Sequence, residues 1–344
     1  MKIANKEKHE FMKYSGKALS FLILCLSFGL SSAQQVPMYS QYIMNGFLIN
    51  PSLTGRDGAS TVNLTVREQW LGVKGGPSTY AASFQTALQQ NGAFGKSRGR
   101  RKVSRPSKSG RVGIGGYLFN DNNGIVRRTG IQTNYGYHIP MGKNLRGSRD
   151  QLSFGLSLVG YQFVIRTDQL TNSYDDDPYL SSYDKSVFIT DFNFGTSYTT
   201  SKYYVGFSMT NMLRGSLVLG NSSDNKMEEL GHYFLSGGVN IPIDRDWSIK
   251  PSAFIKSSDM LLNSLQLDLT GRVFYKEDYW AGLSYRTNDA IILMMGLRYD
   301  KFYFGYAFDF TLTDMRSNSL GTLELTLAYK FGDNAGRYRW LNSF

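Results

Sequence analysis

The sequence is poor in cysteine and in long apolar runs, and each shortage excludes a class of structure. Its single cysteine, Cys25, lies in an N-terminal leader that we expect to be removed, so no disulfide stabilises the mature chain. After residue 33, no apolar run reaches the ~20 residues that a membrane-spanning helix needs. If the mature chain lies in a membrane, it must cross that membrane as β-strands.

The first 33 residues have the pattern of a secretory signal peptide. Five lysines between Lys2 and Lys17 precede an uncharged apolar run from Ala18 to Leu30, and Ser31-Ser32-Ala33 follows. The run of 13 residues is too short to span a membrane, and the residues before Cys25 are not the small residues of a lipoprotein signal. We therefore expect export and cleavage after Ala33.

Alternating side chains predict strands that cross a membrane. The chain contains 23 Tyr, 22 Phe and 36 Gly residues, yet its mean hydropathy is only −0.30. Such an average is expected where lipid-facing and lumen-facing residues alternate. From Thr322 to Phe331, apolar side chains alternate strictly with small or polar ones, and the segments 290–299 and 301–312 repeat the pattern.

The same pattern predicts about 14 strands, an even number that returns both chain ends to the periplasm. From the sixth strand onward, most of the connections alternate between short and long, as expected for periplasmic turns and external loops. The predicted strands cover residues 60–70, 78–88, 110–119, 129–140, 150–166, 188–200, 202–211, 230–241, 246–256, 262–275, 278–287, 290–299, 301–312 and 320–331.

These predictions divide the chain into four parts. The signal peptide is residues 1–33, and a non-strand segment follows at 34–58. Residues 59–332 form an all-β antiparallel transmembrane barrel in the outer membrane, and 333–344 are a periplasmic extension.

A strongly basic segment lies between the second and third predicted strands, on the predicted periplasmic side. Its basic residues are Lys96, Arg98, Arg100, Arg101, Lys102, Arg105, Lys108 and Arg111, with no acidic residue among them. The net charge of the chain is +11, of which the leader carries +3, and these eight residues account for the remaining +8. The segment is either a docking site for an acidic periplasmic protein or lipid headgroups, or a solvated loop. Nucleic acid is not an expected partner in the periplasm.

No motif indicates catalysis, a cofactor or a metal site. Only His138 and His232 remain after cleavage, and neither accompanies a nucleophile motif or a cluster of metal ligands. The acidic stretch from Asp168 to Asp184 does not match an EF-hand spacing, which favours a solvated outer loop over a cation site. We therefore predict that the protein is not an enzyme and that both histidines are structural or interfacial.

Charged residues on the inward register leave two readings of the lumen open. They are Arg67, Asp268, Arg272, Arg286, Arg298, Asp309, Glu324 and Lys330. Either they pair with one another and brace a filled lumen, or they line an aqueous channel.

Two regions carry the motifs of a known family. The first comprises Gln35 to Tyr42, Asn45, Leu48, Asn50-Pro51-Ser52, Gly55, Arg67, Gln69-Trp70, Gly72 and Gly76-Pro77, and the second comprises Trp280 to Arg286, Gly305 to Asp309 and Gly321 to Glu324. Together they resemble the PorP/SprF family of the type IX secretion system of Bacteroidetes. The last strand of that family usually starts with a Gly-Ser-His-Glu-like sequence, so Leu323 stands here in place of a histidine.

The resemblance implies an outer-membrane accessory that helps particular surface proteins, such as gliding-motility adhesins, to be secreted or held at the surface. Its implied partners are outer-membrane lipids, type IX components on the periplasmic side and a secreted adhesin as client. The alternative function is a diffusion channel or small-solute transporter.

Two groups of residues in the N-terminal region are candidate functional residues. The stretch before the first strand lacks alternation and is rich in Asn, Pro and Gly, so it is a candidate lumen plug or periplasmic cap. Its candidate residues are Tyr39, Ser40, Gln41, Tyr42, Asn50 and Pro51. We expect Gln69 and Trp70 to lie at the outer rim.

Overall fold

The computed structural model is a closed antiparallel β-barrel. It describes residues 39–88, 111–141, 150–166, 186–213, 216–218, 226–228, 231–258 and 264–332. Its strands, numbered along the chain, are β1 (Ser60–Glu68), β2 (Ser78–Leu88), β3 (Arg111–Asn123), β4 (Val126–Pro140), β5 (Gln151–Ile165), β6 (Ser186–Thr199), β7 (Tyr203–Thr210), β8 (Ser216–Val218), β9 (Lys226–Glu228), β10 (His232–Val239), β11 (Ile241–Pro242), β12 (Trp247–Ser257), β13 (Gln266–Tyr275), β14 (Tyr279–Arg286), β15 (Ala290–Tyr299), β16 (Phe302–Thr311) and β17 (Thr322–Phe331).

One sheet contains all the barrel strands and closes on itself. β1 pairs antiparallel with β17, from Ser60 opposite Phe331 to Glu68 opposite Leu323. β10 pairs with both β7 and β12, and β11 continues the register of β10 along β12. The sheet has 15 segments, which make 14 barrel strands because β11 prolongs β10. The prediction of an all-β antiparallel barrel of about 14 strands is therefore confirmed.

The two faces of each strand differ as the alternation predicts. On β17, Leu325 and Leu327 point outward and are 48% and 39% exposed, whereas Glu324 and Lys330 point inward and are 0% and 1% exposed. Exposed leucines and buried charges would be reversed in a water-soluble protein. They fit a barrel whose outer face contacts lipid.

The barrel has two ends that we name by the first strand. The proximal end is where β1 begins, and the connections 200–202, 276–278 and 300–301 lie there. The distal end is where β1 ends, and the loops 69–77 and 312–321 lie there. The sequence-based prediction assigns the proximal end to the periplasm and the distal end to the cell exterior.

β3 and β4 extend further toward the distal end than predicted. Residues 120–128 are predicted to lie mostly in a loop, but β3 runs to Asn123, β4 begins at Val126, and Gly124 turns between them with φ +59°. The inward residues Asp121 and Arg128 lie directly opposite each other in this extension. Pairing of opposite charges across strands outweighs the weak strand preference of Asn and Asp.

Helical structure is minor in the described part of the chain. Short 3₁₀ turns occur at Gly46–Leu48, Pro51–Leu53 and Asp314–Ser317. No helix among the described residues is long and apolar enough to cross a membrane. β8 and β9 form a small hairpin outside the barrel sheet, within a segment predicted to be a loop.

Placing a charge on the outer face tests its contact with lipid. Leu327 lies near the middle of β17, so we expect Leu327→Arg to lower the free energy of unfolding in lipid vesicles by ~2–4 kcal/mol. Denaturant titration measures the change. The matched control is Leu320→Arg, because Leu320 is 78% exposed in a distal loop outside the strands. An equal cost for both variants would contradict the assignment of the outer face to lipid.

Candidate functional site in the barrel lumen

The chain before β1 runs through the inside of the barrel. We name residues 39–58 the lumen segment. Within it, Met44, Phe47, Ser52 and Thr54 are each at most 2% exposed. The two 3₁₀ turns keep the segment from forming a strand, and the side chain of Asn50 accepts a hydrogen bond from the backbone N–H of Ser52 at 3.0 Å, which caps the second turn.

A buried ion network lies on the distal side of the lumen, where β1, β16 and β17 are adjacent. Arg67 donates from Nη1 to Glu324 at 2.9 Å and from Nη2 to Asp309 at 3.0 Å. Arg286 contacts Asp268 at 3.0 Å and reaches Asp309 at 4.0 Å. Because the acids and the arginines are paired here, these charges are compensated away from bulk water.

The start of the lumen segment binds this network. The backbone N–H groups of Ser40 and Gln41 donate to the two carboxylate oxygens of Glu324 at 2.7 and 2.9 Å. The Ser40 hydroxyl donates to Asp309 at 2.6 Å and accepts from Arg67 at 2.6 Å. One serine thus bridges the cation and an acid, which fixes the segment to three strands of the wall.

The second 3₁₀ turn is bound on the opposite side of the lumen, toward the proximal end. The Asn50 amide donates to the carbonyl oxygens of Thr196 and Phe207 at 3.2 and 3.3 Å. The Ser52 hydroxyl donates to Ser197 at 2.7 Å. The lumen segment therefore crosses the barrel from β17 to β6 and β7.

Glycines in the inner wall allow this close approach. A Cβ atom at Gly155 on β5 would clash with the backbone of Pro51 and Ser52, and one at Gly195 on β6 would clash with the side chain of Asn50. Glycine at these two positions lets the backbone of the lumen segment lie directly against the sheet.

His138 belongs to the same set of contacts. Its Nε2 lies 2.8 Å from the carbonyl oxygen of Thr54, and its Nδ1 lies 2.9 Å from the hydroxyl of Ser153. The side chains of His138 and Ser153 are 1% and 0% exposed, so a substrate from solvent has no access to this pair. The geometry is that of an anchor between β4, β5 and the lumen segment.

The lumen segment leaves the barrel at the proximal end. Asp57 lies 3.6 Å from Arg56 and 3.7 Å from Lys330, near the end of β17. Arg111, the last of the eight predicted docking residues, begins β3 and donates to Gln151 at 2.9 Å. The other seven, Lys96, Arg98, Arg100, Arg101, Lys102, Arg105 and Lys108, lie outside the described residues, as do the leader, the acidic stretch and the C-terminal extension.

Gln69 and Trp70 begin the loop between β1 and β2 at the distal end. The backbone N–H of Gln69 donates to Pro77 at 2.7 Å, and Trp70 has a φ of +52°. The backbone of Leu71 in this loop exchanges hydrogen bonds with Leu320 and Gly321, which joins it to the loop before β17.

A cavity of about 160 Å³ lies on the distal side of the lumen segment. Tyr39, Leu48 and Ile49 of the segment line one side of it. The wall residues that line it are Thr79, Tyr117, Phe119, Asp121, Arg128, Gln132, Val159, Tyr161, Asn193, Thr210, Asn211, Phe234 and Lys256. Most of these wall residues lie toward the distal ends of their strands.

Comparison with known proteins identifies the family. The sequence profile of the type IX secretion system membrane protein PorP/SprF matches residues 31–329, almost the whole chain. The chain belongs to the PorP/SprF family. It is therefore a type IX secretion system membrane protein with an outer-membrane β-barrel fold. No curated protein sequence matches it.

Solved structures with a similar fold share little sequence with this PorP/SprF protein. The translocator domain of the autotransporter NalP from Neisseria meningitidis has 8% identity and a TM-score of 0.41, with 95% of this chain and 98% of that one covered. The CymD monoaromatic hydrocarbon channel has 10% identity and a TM-score of 0.46, with 88% and 94% covered. BamA from Haemophilus ducreyi, lacking POTRA domains 1–3, has 7% identity and a TM-score of 0.41, with 79% and 70% covered.

The departure from the usual family sequence at Leu323 does not touch the lumen network. Leu323 lies on the outward register of β17, opposite Glu68 and Phe308, whereas the next residue, Glu324, points inward. The acid that binds the lumen segment is therefore Glu324, and the residue at position 323 lies on the other face of the strand.

Several residues of this site were not singled out from the sequence. Gln85 accepts from the backbone N–H of Gly55 at 2.9 Å, and Ser197 accepts from the hydroxyl of Ser52 at 2.7 Å. The hydroxyl of Ser153 lies 2.9 Å from Nδ1 of His138, which in turn contacts the segment. All three lie on inward registers, but small polar residues are ordinary there. Inward glycines such as Gly155 and Gly195 are the signal that could have marked the contact with the segment.

The ion network predicts that Arg67 contributes more to the stability of the barrel than Arg298. Arg67→Gln leaves Asp309 and Glu324 buried without this cation, so we expect a loss of ~3–5 kcal/mol in the free energy of unfolding. Arg298→Gln is the control, because Arg298 pairs with Asp278 at 3.1 Å where both are partly exposed, and we expect at most ~1 kcal/mol. Denaturant titration of both variants measures the two changes in the free energy of unfolding. Similar costs would show that the buried network does not stabilise the barrel.

Proposed function

We propose that this PorP/SprF protein is a non-enzymatic accessory of type IX secretion that supports the export or surface anchoring of particular proteins, such as gliding-motility adhesins. One observation carries the proposal beyond family membership. The chain's own lumen segment is bound by both walls of the barrel, which suits a rigid protein scaffold better than a pore.

The occupied lumen argues against the alternative of a diffusion channel or small-solute transporter. Hydrogen bonds hold the segment to β17 at Ser40 and to β6 and β7 at Asn50, and the remaining cavity is closed on one side by Leu48 and Ile49. A solute would have to displace all these contacts to pass. In this proposal the segment from Tyr39 to Asn50 and Pro51 is a permanent lumen plug.

The absence of catalysis is also part of the proposal. The His138–Ser153 pair is fully buried and hydrogen-bonds the lumen segment, so it has a structural explanation. Among the described residues, no group of three or more His, Cys, Asp or Glu side chains is placed to hold a metal ion. The function that we propose, binding of other proteins at the two ends of the barrel, needs no catalytic residues.

Each end of the barrel has its own partner in this proposal. We propose that the basic segment Lys96 to Arg111 docks an acidic type IX component in the periplasm, and that the distal loops face the client. Gln69 and Trp70 belong to the outer rim, where the loop that they begin is held to the loop before β17. In this proposal, a signal peptide that is cleaved after Ala33 directs export of the mature chain to the outer membrane.

Deletion of the gene tests the proposed role. We expect the culture medium and the cell surface to lose one or a few type IX clients, measured by quantitative proteomics, while uptake of small solutes is unchanged. Complementation with the full-length gene is the control. Intact secretion together with altered solute uptake would support the channel instead and would exclude the accessory role.

Neutralisation of the basic segment tests the docking partner. We expect replacement of the eight bases from Lys96 to Arg111 by glutamine to reduce client secretion and to abolish salt-sensitive co-purification of periplasmic type IX components. The control replaces Lys202, Lys276 and Lys301, exposed bases of other proximal turns. If the eightfold variant secretes and co-purifies like the control, the segment is not a docking site.

A further inference from the structure

The inner wall of the barrel changes character along its length. On β5, the inward residue near the proximal end is Gln151, but those near the distal end are Val159, Tyr161 and Phe163. These distal residues pack with Ile189 of β6 in a buried apolar cluster. An apolar inward face is unusual in an outer-membrane barrel, where lumen-facing side chains are normally polar.

The cavity of about 160 Å³ lies against this apolar wall and has room for one aromatic ring. Leu48 and Ile49 line it on the side of the lumen segment. Three aromatic side chains of the wall also line it, and two of them, Tyr117 and Phe119, stack with ring centroids 5.2 Å apart, while the third is Phe234. An apolar cavity of ~150 Å³ is large enough to hold a benzene molecule. Rings in the lining offer a ring-shaped ligand the stacked and edge-on contacts that aromatic pairs prefer.

The charged groups that line the cavity have partners within the protein. Asp121 lies directly opposite Arg128 across the β3–β4 pair, and the two charges attract each other. Lys256 interacts electrostatically with Asp268 and Asp289, beside the ion network. A charged ligand would lose its hydration here without gaining a counter-charge, and such a transfer is costly. The cavity therefore favours a neutral ligand.

Two buried amides at the cavity have hydrogen-bonding groups that the protein does not use. Gln132 and Asn193 line the cavity and are 5% and 4% exposed. The amide N–H of Gln132 donates to Asn134 at 2.8 Å, and the amide oxygen of Asn193 accepts from the backbone N–H of Asn211 at 3.0 Å. Within the described part of the chain, the amide oxygen of Gln132 and the NH₂ group of Asn193 have no partner. Because buried polar groups are normally hydrogen-bonded, one acceptor and one donor remain here for a ligand.

We propose that the distal cavity binds a neutral phenol. The ring occupies the apolar space, and the hydroxyl, which both donates and accepts, matches the free groups of Gln132 and Asn193. Its source is either a free phenolic compound or the side chain of a tyrosine in a polypeptide, which present the same ring and hydroxyl. This binding goes beyond the proposed secretion role and does not depend on it, because purified protein suffices to detect it.

Binding of a fluorinated probe to the folded full-length chain in detergent tests the proposal. The probe is 4-fluorophenol, which is uncharged at neutral pH because a phenol titrates near pH ~10, and ¹⁹F line broadening reports binding. We expect 4-fluorobenzoate and 4-fluorobenzylammonium to bind at least ~10-fold more weakly, because burying a charge without a partner costs more than the ~1.4 kcal/mol that corresponds to this factor. No binding of the phenol, or equal binding of either charged probe, would overturn the proposal.

Filling the cavity locates the site. Thr210 lines the cavity at the end of β7, so we expect Thr210→Phe to abolish binding of 4-fluorophenol. Thr133→Phe makes the same change on the outer face of β4, which contacts lipid, and should leave binding unchanged. Binding that survives Thr210→Phe would place the probe elsewhere, for example in the micelle, and would refute the assignment.

Removal of one amide tests the hydrogen bond to the hydroxyl. We expect Gln132→Leu to weaken binding of 4-fluorophenol by about 5-fold, since one hydrogen bond contributes ~1 kcal/mol. Fluorobenzene, which has the ring but no hydroxyl, should bind this variant and the unchanged protein equally. The matched control is Gln162→Leu, on the outer face of β5, which should affect neither probe. If Gln132→Leu binds 4-fluorophenol as tightly as the unchanged protein does, a phenol is not the ligand.

Peptides identify the source of the ligand. Acetyl-Gly-Ser-Tyr-Ser-Gly-amide is compared with the same peptide carrying Phe in place of Tyr, in competition with 4-fluorophenol. Competition by the tyrosine peptide alone supports a polypeptide side chain as the ligand, and binding of 4-fluorophenol without competition by either peptide supports a free phenol. Equal competition by both peptides would contradict the role of the hydroxyl. Heat-modifiable gel migration checks that each variant is folded.

Discussion

In a bilayer, every backbone N–H and C=O group must find a partner within the protein, and this requirement sets the whole architecture. Pairing of β1 with β17 meets it, because it leaves no strand edge facing lipid. Closure with 14 strands creates an interior wider than the eight-stranded barrels whose side chains fill the centre. The inside must then be filled by other means or hold water. Here residues 39–58 occupy it.

Filling a lumen with backbone brings a second requirement, because the peptide groups of the segment also need partners. The wall supplies them in two different ways. Near the distal side, the carboxylate of Glu324 accepts two backbone N–H groups while Arg67 compensates its charge. Near the proximal side, small residues let the chains approach, and Gly155 and Gly195 leave room for the turn at Pro51. The network at Glu324 also lies at the β1–β17 closure, so segment binding and closure of the barrel involve the same residues.

The wall of this barrel could be predicted from the sequence, and its interior could not. Alternation reveals a strand directly, because each residue's neighbours on the same face are two positions away. It therefore located every barrel strand and placed Glu324, Asp309 and Arg67 on the inward face. It failed between residues 120 and 128, where the pairing of Asp121 with Arg128 extends two strands whose composition indicates a loop. The partners of those inward charges depend on contacts such as Ser40 with Glu324, 284 positions apart, which no local pattern encodes.

The inward residues of β5 also differ between the two ends of the lumen. On β5, Gly155 leaves room for the lumen segment, and the inward residues Val159, Tyr161 and Phe163 place apolar side chains further toward the distal end. Polar or small inward residues are needed where the backbone of the segment lies against the wall, since its peptide groups require hydrogen bonds. Apolar inward residues are compatible only with an apolar cover, and Leu48 and Ile49 provide part of it. The remainder lies at the distal end, on the side predicted to face the exterior.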